Sequence, residues 1–528
     1  MDGPIASETD SDHLPSFPHK AAAQTYRTRT LLLFVILQCV LYGINLNLLP
    51  MWGDEAFTVV TVAETPARII EIVRDDIHPP LYFLLAHWWN RLPIGSDPLL
   101  RLRALSVIFA LLTTIFLDRL WLRTAPAGLR NWFLLFWVFS PCMLLFARMA
   151  RSYSLQVLLT VVVVWFLLRF VESPTDGRNS AAFAVSLAAL LYTHYLPGIA
   201  VWAGANFLLL RRRGGRVWKP WLLFNAFVAA LFLPWAVTLI GALQQWEHSQ
   251  VHNLTGNVWA EQLAKLGYCF YSFTFGESIP IWLLPVTLVL ALPCLWLVVS
   301  GARVRRQWLW PGLLAAAVAY LGATRWVSTP FMGARLLFLL PLFLLALSAG
   351  VMARDRLGAA LGMALVAANL VGLWAYFGAR DILNLAYLTP NQRIAQEIVL
   401  HSRADDTVVW IDGLNFDETT LEYYLPGNIK VRSLTSPESV AAARAELDAA
   451  NIQHVWFVRS LNDISPGQAF EKLESQMMET WPEEALHPYL PLSPTHVVIL
   501  RGLAPLRHQD GSHARQYMYQ MWEFRRPR

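Results

Sequence analysis

The sequence predicts a polytopic α-helical membrane protein with a C-terminal extracytoplasmic α/β domain, and three observations lead there. The 528 residues are 55% hydrophobic and only 15% charged, whereas a soluble globular domain carries about 25% charged residues. Long apolar runs recur through residues 30–379, and the turns between them alternate between basic and nearly uncharged. From about Arg380 the pattern changes to short β-rich runs between helical ones. Disorder, a collagen repeat and a disulfide scaffold are excluded by the same composition. So is a single soluble core, because ordinary chains split into domains beyond roughly 250–300 residues. The net charge of +5 would point to nucleic acid only if the basic residues gathered on a soluble face. They lie in turns between apolar runs instead, so no nucleic-acid partner is expected.

Residues 1–29 are expected to be a short disordered cytoplasmic tail, polar and containing Pro4, Pro15 and Pro18 without a cleavable signal. A span needs about 20 apolar residues, and Lys/Arg marks the cytoplasmic side. Residues 30–49 follow Lys20, Arg27 and Arg29 and so run outward. Residues 50–100 are too polar to span and form the first outer loop. Within it, 81–92 has the character of an interfacial helix, because Trp88 and Trp89 favour the headgroup level.

Residues 102–120 return to a basic turn with Arg119, Arg123 and Arg130. The alternation continues outward over 132–146, inward over 155–170, outward over 181–192 and inward over 197–210. There the most basic turn of the chain holds Arg211, Arg212, Arg213, Arg216 and Lys219. Residues 221–240 go out, 241–278 form a long outer loop, and 281–299 return. Residues 311–323 go out, 336–351 come back to Arg354 and Arg356, and 357–377 exit. The count is about eleven spans of this length, with the N-terminus inside and the C-terminus outside.

Beyond Arg380, helical patterns over 389–402 and 436–451 alternate with β-rich runs at 407–411, 429–434, 454–458 and 496–500. Strands separated by helices of this length indicate a layered α/β domain over 380–528. No G-x-G-x-x-G follows a strand, so no dinucleotide site is signalled. The basic, aromatic stretch 501–528 has no assigned place. Cys39, Cys142, Cys269 and Cys294 lack metal-ligand spacing, with Cys269 in a loop-like stretch.

On this topology the unusual residues gather at the outer face. The first loop opens Trp52-Gly53-Asp54-Glu55-Ala56-Phe57 and returns through Asp75-Asp76-Ile77-His78-Pro79-Pro80-Leu81-Tyr82. A carboxylate at the edge of a low-dielectric region can act as a general base or position a hydroxyl. The plainer reading of Asp54 and Glu55 is a favourable pair of acids at a helix N-terminus. For His78-Pro79-Pro80 it is a rigid helix entry.

Cations occupy the other outer ends. Arg148 and Arg151 stand in Ala147-Arg148-Met149-Ala150-Arg151-Ser152-Tyr153-Ser154-Leu155, His194 in Tyr192-Thr193-His194-Tyr195, and Arg335 in Phe331-Met332-Gly333-Ala334-Arg335. Arginine on the outer side needs a partner, and its planar fork matches phosphate oxygens. For Arg148 a snorkelling headgroup contact is the expected role. Acids on one wall and arginines on the other fit an acceptor hydroxyl and a phosphate leaving group.

This order of elements resembles the bacterial membrane glycosyltransferases of the GT-C superfamily, relatives of the protein O-mannosyltransferases and the lipid A aminoarabinose transferases. It consists of Asp-Glu after the first span, His-Pro-Pro-Leu-Tyr before a helix, Arg-Ser-Tyr-Ser-Leu, Tyr-Thr-His-Tyr and a late Gly-Ala-Arg. The resemblance covers roughly residues 30–377. It implies inverting transfer of a sugar from a polyprenyl-phosphate donor to a lipid, glycan or protein acceptor on the outer side. It further implies that Asp54 activates or positions the acceptor, with Glu55 and Asp76 as supporting acids. His78 would line the site, with Tyr153 and His194 also bordering the substrate, while Arg151 and Arg335 would hold the donor phosphate. Superfamily members differ in using a divalent cation, so the metal stays open, as no compact D-x-D stands at the first loop. Low Lys and high Ala, Arg and Leu usage favours a bacterial inner membrane, with the site facing the periplasm.

Two other classes compete. A transporter or flippase of lipid-linked glycans would place its charges near the midplane of broken spans. Here the mid-span sequence is almost free of charge, and no internal repeat is visible. A non-catalytic scaffold presenting the C-terminal domain would not need two acid clusters in the first loop.

Overall fold

The computed structural model describes residues 17–211, 218–249, 258–304, 312, 315–321, 333–378, 382–384, 387–402, 407–411, 417–434, 436–449, 452–460, 473, 475, 477, 479, 483–489 and 519–526. The chain opens with helix α1 (Phe17–Gly43), which begins inside the stretch expected to be a tail. Three short helices follow in the stretch expected to be the first outer loop: α2 (Gly53–Ala63), α3 (Pro66–Asp75) and α4 (Leu81–Asn90). Thr65 starts α3, its hydroxyl accepting the Arg68 amide at 3.4 Å, and Pro66 fits the first turn, where no amide is needed.

Among the described residues, six helices are long and apolar enough to cross a membrane: Pro98–Trp121, Tyr153–Glu172, Trp218–Gly241, Leu284–Arg303, Gly333–Met352 and Asp355–Phe377. A seventh is a bent pair, Ala127–Val138 and Pro141–Ala147, broken by 52°. The break follows from Pro141, which disfavours helix in the residue before it, while the Ser140 hydroxyl accepts the Met143 amide at 3.1 Å and restarts the helix. We label these α5 (Pro98–Phe116), α6 (Ala127–Val138), α7 (Pro141–Ala147) and α8 (Tyr153–Glu172). The expected outward run at 181–192 lies in α9 (Gly177–Leu191), a helix of 15 residues, and α10 (Tyr195–Arg211) is a shorter apolar helix. Within the run at 311–323, residues 312 and 315–321 are described and are helical, with Ala315 and Ala319 buried in the core.

One expectation is overturned. The stretch 241–278 is not a long loop: α11 (Trp218–Ser249) continues into it, and α12 (Val258–Phe275) occupies most of the rest. Tyr271, Phe273, Phe275 and Cys269 of α12 are buried in the same core as the spanning helices, so Cys269 is helical too. Tyr268, Tyr271 and Phe275 recur at helical spacing, but Glu261 and Lys265 keep the mean hydropathy low. A reading tuned to span-length apolar runs passes over such a helix.

The three short helices α2, α3 and α4 form a packed layer. Ala56, Phe57, Ile69, Tyr82, Phe83 and Ala86 from α2, α3 and α4 bury themselves against Leu99, Leu102 and Leu105 of α5, Leu155 of α8 and Trp235 of α11. At about 1.5–3 kcal/mol for each large apolar side chain buried, this layer is held firmly enough to fix polar groups at its edge.

The C-terminal part is built on a five-stranded sheet in the order β2-β1-β3-β5-β4. The strands are β1 (Thr407–Ile411), β2 (Lys430–Ser433), β3 (His454–Ser460), β4 (Glu483–Tyr489) and β5 (Tyr519–Arg525). β1 pairs in parallel with β2 and β3, while β5 lies antiparallel to β3 and β4. The expected strands at 407–411, 429–434 and 454–458 are present, and the one at 496–500 lies outside the described residues. The unplaced stretch 501–528 supplies β5, an interior strand, where Met521 and Phe524 are fully buried. The helix Asp417–Tyr424 docks this part on the membrane end of the core. There the Tyr423 hydroxyl donates to Asp97 Oδ1 at 2.6 Å, and the Tyr424 hydroxyl accepts the Met51 amide at 2.8 Å.

Candidate active site

Asp54 is the second residue of α2, and acids in a first turn are favoured by the exposed amides and the positive end of the helix dipole. The plain capping reading therefore accounts for its place in sequence. It does not account for its surroundings. The side chain is 39% exposed, and its Oδ2 lies 3.6 Å from Arg151 Nη2. Arg151 sits in the turn between α7 and α8 and is 8% exposed. Its Nη1 also donates to the Asp54 carbonyl at 3.2 Å and to Thr58 Oγ1 at 3.3 Å. One guanidinium thus grips the first turn of α2 while leaving one side of the carboxylate open.

The remaining Nη2 proton is shared with His78, whose Nε2 is 3.1 Å away. A guanidinium has only donors, so Nε2 accepts and the ring proton resides on Nδ1. That proton faces Asp76, with Oδ2 and the backbone carbonyl each at 2.9 Å. The chain Asp76–His78–Arg151–Asp54 is therefore continuous. Asp76 orients His78, and His78 orients Arg151 rather than standing free as a base.

Tyr153, Arg335 and His194 close the group. Tyr153 opens α8 two residues after Arg151, and its electrostatic partners are Asp54, Arg151 and Arg335. Arg335 lies in a 3-10 turn, Gly333–Leu339, at the start of a spanning helix, with Tyr153, Asp54, Tyr387 and Arg151 around it. His194 stands in the turn between α9 and α10, and its Nδ1 accepts the Leu196 amide at 3.3 Å. Desolvation, then Arg335, His78 and Arg151, push its pKa down to about 3. It is neutral near pH 7 and carries its proton on Nε2. Arg151 and Arg335 stand on the side of the open Asp54 carboxylate, and guanidinium donors in that position can take an anion.

Glu55 belongs to a different structure. It is fully buried, and Arg103 donates to both of its oxygens, at 2.8 and 2.6 Å. The Ala150 amide donates to its Oε1 at 2.8 Å. Glu55 therefore braces α2 to α5 and to the turn that carries Arg151, with no open side for a substrate. Arg148 is also placed otherwise than expected. It is buried, donating to the carbonyls of Leu41, Tyr42, Ile44 and Asn45 at the C-terminal end of α1. Its guanidinium lies 5.3 Å from the Tyr376 ring and 5.2 Å from that of Phe377. A cation at a helix C-terminus satisfies the orphan carbonyls there, which a lipid headgroup contact would leave open.

Three residues of this neighbourhood were not anticipated. Arg103 reads in sequence as one more basic residue of a span. Tyr387 packs edge-on against Trp52 at 5.1 Å, and its electrostatic partners include Tyr153 and Asp54. Glu277 is fully buried behind Gly333. No local signal marks any of them, because each acts through a partner distant in the chain. Among the described residues, no group of three or more His, Cys, Asp or Glu side chains could hold a metal ion. No cation is assigned here.

No protein-family model matches the chain, and no curated protein sequence matches it. Solved structures do. The chain is similar to ArnT from Cupriavidus metallidurans in the apo state, with a TM-score of 0.55 and 13% identity over 95% of this chain and 98% of that one. It is similar also to ArnT of the same organism bound to undecaprenyl phosphate, with a TM-score of 0.53 and 12% identity over 93% and 97%. At such identity the likeness concerns the fold, and it spans both the helical core and the sheet-bearing part. The chain shares its fold with ArnT from Cupriavidus metallidurans.

Proposed function

We propose that the protein transfers a sugar from a polyprenyl-phosphate donor to an acceptor hydroxyl at the outer face of a bacterial inner membrane, with inversion at the anomeric carbon. The observation that carries this reading is the open Asp54 carboxylate held 3.6 Å from Arg151 with Arg335 alongside. The undecaprenyl phosphate bound by a protein of the same fold supports the donor class. In the proposed step Asp54 accepts the acceptor hydroxyl's proton, and the oxygen forms a bond to the anomeric carbon. The bond from that carbon to the phosphate oxygen breaks, and polyprenyl phosphate leaves with the electron pair. Its charge grows in the transition state, where preorganised guanidinium groups stabilise it most.

Arg151 and Arg335 take the phosphate in this scheme. Tyr153 and the Nε2–H of His194 border the substrate, Asp76 and His78 fix Arg151, and Glu55 holds the two walls in register. The acceptor is a lipid, a glycan or a protein. The finer topology belongs to the same proposal: about eleven spans, N-terminus inside, with the site and the 380–528 domain outside.

The test is transfer of radiolabelled sugar from membranes containing polyprenyl-phosphate sugars, comparing wild type with Asp54→Asn at matched expression. The expected outcome is a loss of about a hundredfold or more, the usual weight of a general base. Undiminished transfer by Asp54→Asn would remove Asp54 from the mechanism. Absence of transfer by the wild type across a donor panel would favour a transporter of lipid-linked glycans.

A further inference from the structure

Glu277 is a buried acid that the proposed chemistry does not use. It follows α12, and Gly276 before it turns the chain with φ +79, a conformation open to glycine. The Ser272 hydroxyl donates to Glu277 Oε1 at 3.1 Å, the Gly333 amide donates to the same carboxylate, and the Tyr268 hydroxyl lies beside it. The Glu277 carbonyl accepts the Leu383 amide at 2.7 Å, tying this corner to the segment that bears Tyr387.

Gly333 is what brings the carboxylate close. A Cβ there would sit 2.7 Å from Ser272 Oγ and 3.1 Å from Glu277 Oε1, so a larger residue must move the serine hydroxyl that donates to the acid and crowds the acid itself. One residue further on, the Ala334 carbonyl accepts Gln156 Nε2 at 2.9 Å, from the face of α8 that also carries Tyr153. The next residue is Arg335. The arginine is therefore presented by a backbone held on both sides by buried polar groups, one just after α12 and one from α8.

Building on the reading above, we infer that Glu277 is a positioning residue for donor phosphate, acting by anchoring the Gly333 amide so that Arg335 faces Tyr153 and Asp54. A hydrogen bond to a buried carboxyl oxygen is directional, and removing that oxygen leaves the Gly333 amide unpaired. Without it the start of the 3-10 turn loses the contact that sets Arg335's approach.

The experiment measures the Kd of undecaprenyl phosphate for the purified full chain in lipid nanodiscs, with Tm recorded in parallel. Glu277→Ala is expected to raise Kd about tenfold or more, on the scale of one buried donor left unpaired. Glu277→Gln, which keeps an acceptor oxygen, is expected to stay within about threefold of wild type. Combining Glu277→Ala with Arg335→Ala is expected to be no worse than Arg335→Ala alone, the non-additivity of two residues acting through one contact. Should Glu277→Ala not fold, Gly333→Ala, which crowds the acid and forces aside the Ser272 hydroxyl that donates to it, decides in its place. Wild-type affinity in either variant, or losses that add to that of Arg335→Ala, would overturn the inference. If the wild type and Arg335→Ala both fail to bind, the polyprenyl-phosphate reading fails first and takes the inference with it.

Discussion

At the residue scale, neighbouring acids in one helical turn have opposite duties. Asp54 keeps an open side, whereas Glu55 is fully buried and spends both oxygens on Arg103. The two are adjacent in sequence, but successive residues of a helix point about 100° apart, so one meets the outer face and the other the core. Removing one partner of a buried pair leaves an uncompensated charge and costs about 3–5 kcal/mol. Arg103→Ala is therefore expected to lower thermal stability in detergent sharply, while Asp54→Asn leaves the melting curve near wild type. Equal melting curves for Arg103→Ala and wild type would remove the brace from the account. The Asp-Glu motif was legible as an acidic pair. That Glu55 is the buried one was not, because it depends on Arg103 and Ala150, 48 and 95 positions away.

At the element scale, the site depends on how closely two spanning helices cross. We label Leu284–Val304 α13; it packs backbone to backbone on the Leu340–Met352 helix that follows Arg335's turn. A Cβ on Gly301 would lie 1.9 Å from the Ala346 carbonyl oxygen, and one on Gly350 would lie 2.0 Å from that of Leu297. Small residues permit such approaches where lipid gives helices no hydrophobic reason to associate. Gly301→Ala is expected to push the helices apart at about 1–3 kcal/mol, with reduced donor affinity following from the displaced Arg335 turn. A thermal melt and a binding curve on the same sample check this; wild-type values in both would mean that the crossing adapts without strain. The sequence pattern located these helices from their apolar length. It passed over α12, whose polar residues lower its hydropathy although its aromatic face is buried.

At the scale of the whole molecule, the sheet-bearing part and the segment 50–100 form one assembly. The Tyr423–Asp97 and Tyr424–Met51 hydrogen bonds join them, and Thr389 Oγ1 donates to the Met51 carbonyl at 3.0 Å. Asp97 also accepts the Leu99 amide at 2.8 Å and so caps α5, which links the docked domain to the start of a spanning helix. The proposed orientation puts Leu400, 76% exposed, outside and the exposed Arg123 inside. In a cysteine-free background, a membrane-impermeant maleimide added to intact spheroplasts is expected to label Leu400→Cys and to spare Arg123→Cys until the cells are opened. The reverse pattern would invert the topology and move the site to the cytoplasm.

The sequence by itself determined the membrane class, most of the spanning helices, the first three strands and the residue types of the outer site. These rest on composition, on apolar length and on periodicity, all of which act over a few neighbouring residues. Only the tertiary structure decided that Asp76 serves His78, that His78 serves Arg151, that Glu55 and Arg148 are braces, and that β5 lies inside the sheet. Each of these follows from which partner a polar group finds once it is buried. A buried donor or acceptor must be paired, and a folded chain supplies that partner from whichever distant segment packing has brought within about 3 Å.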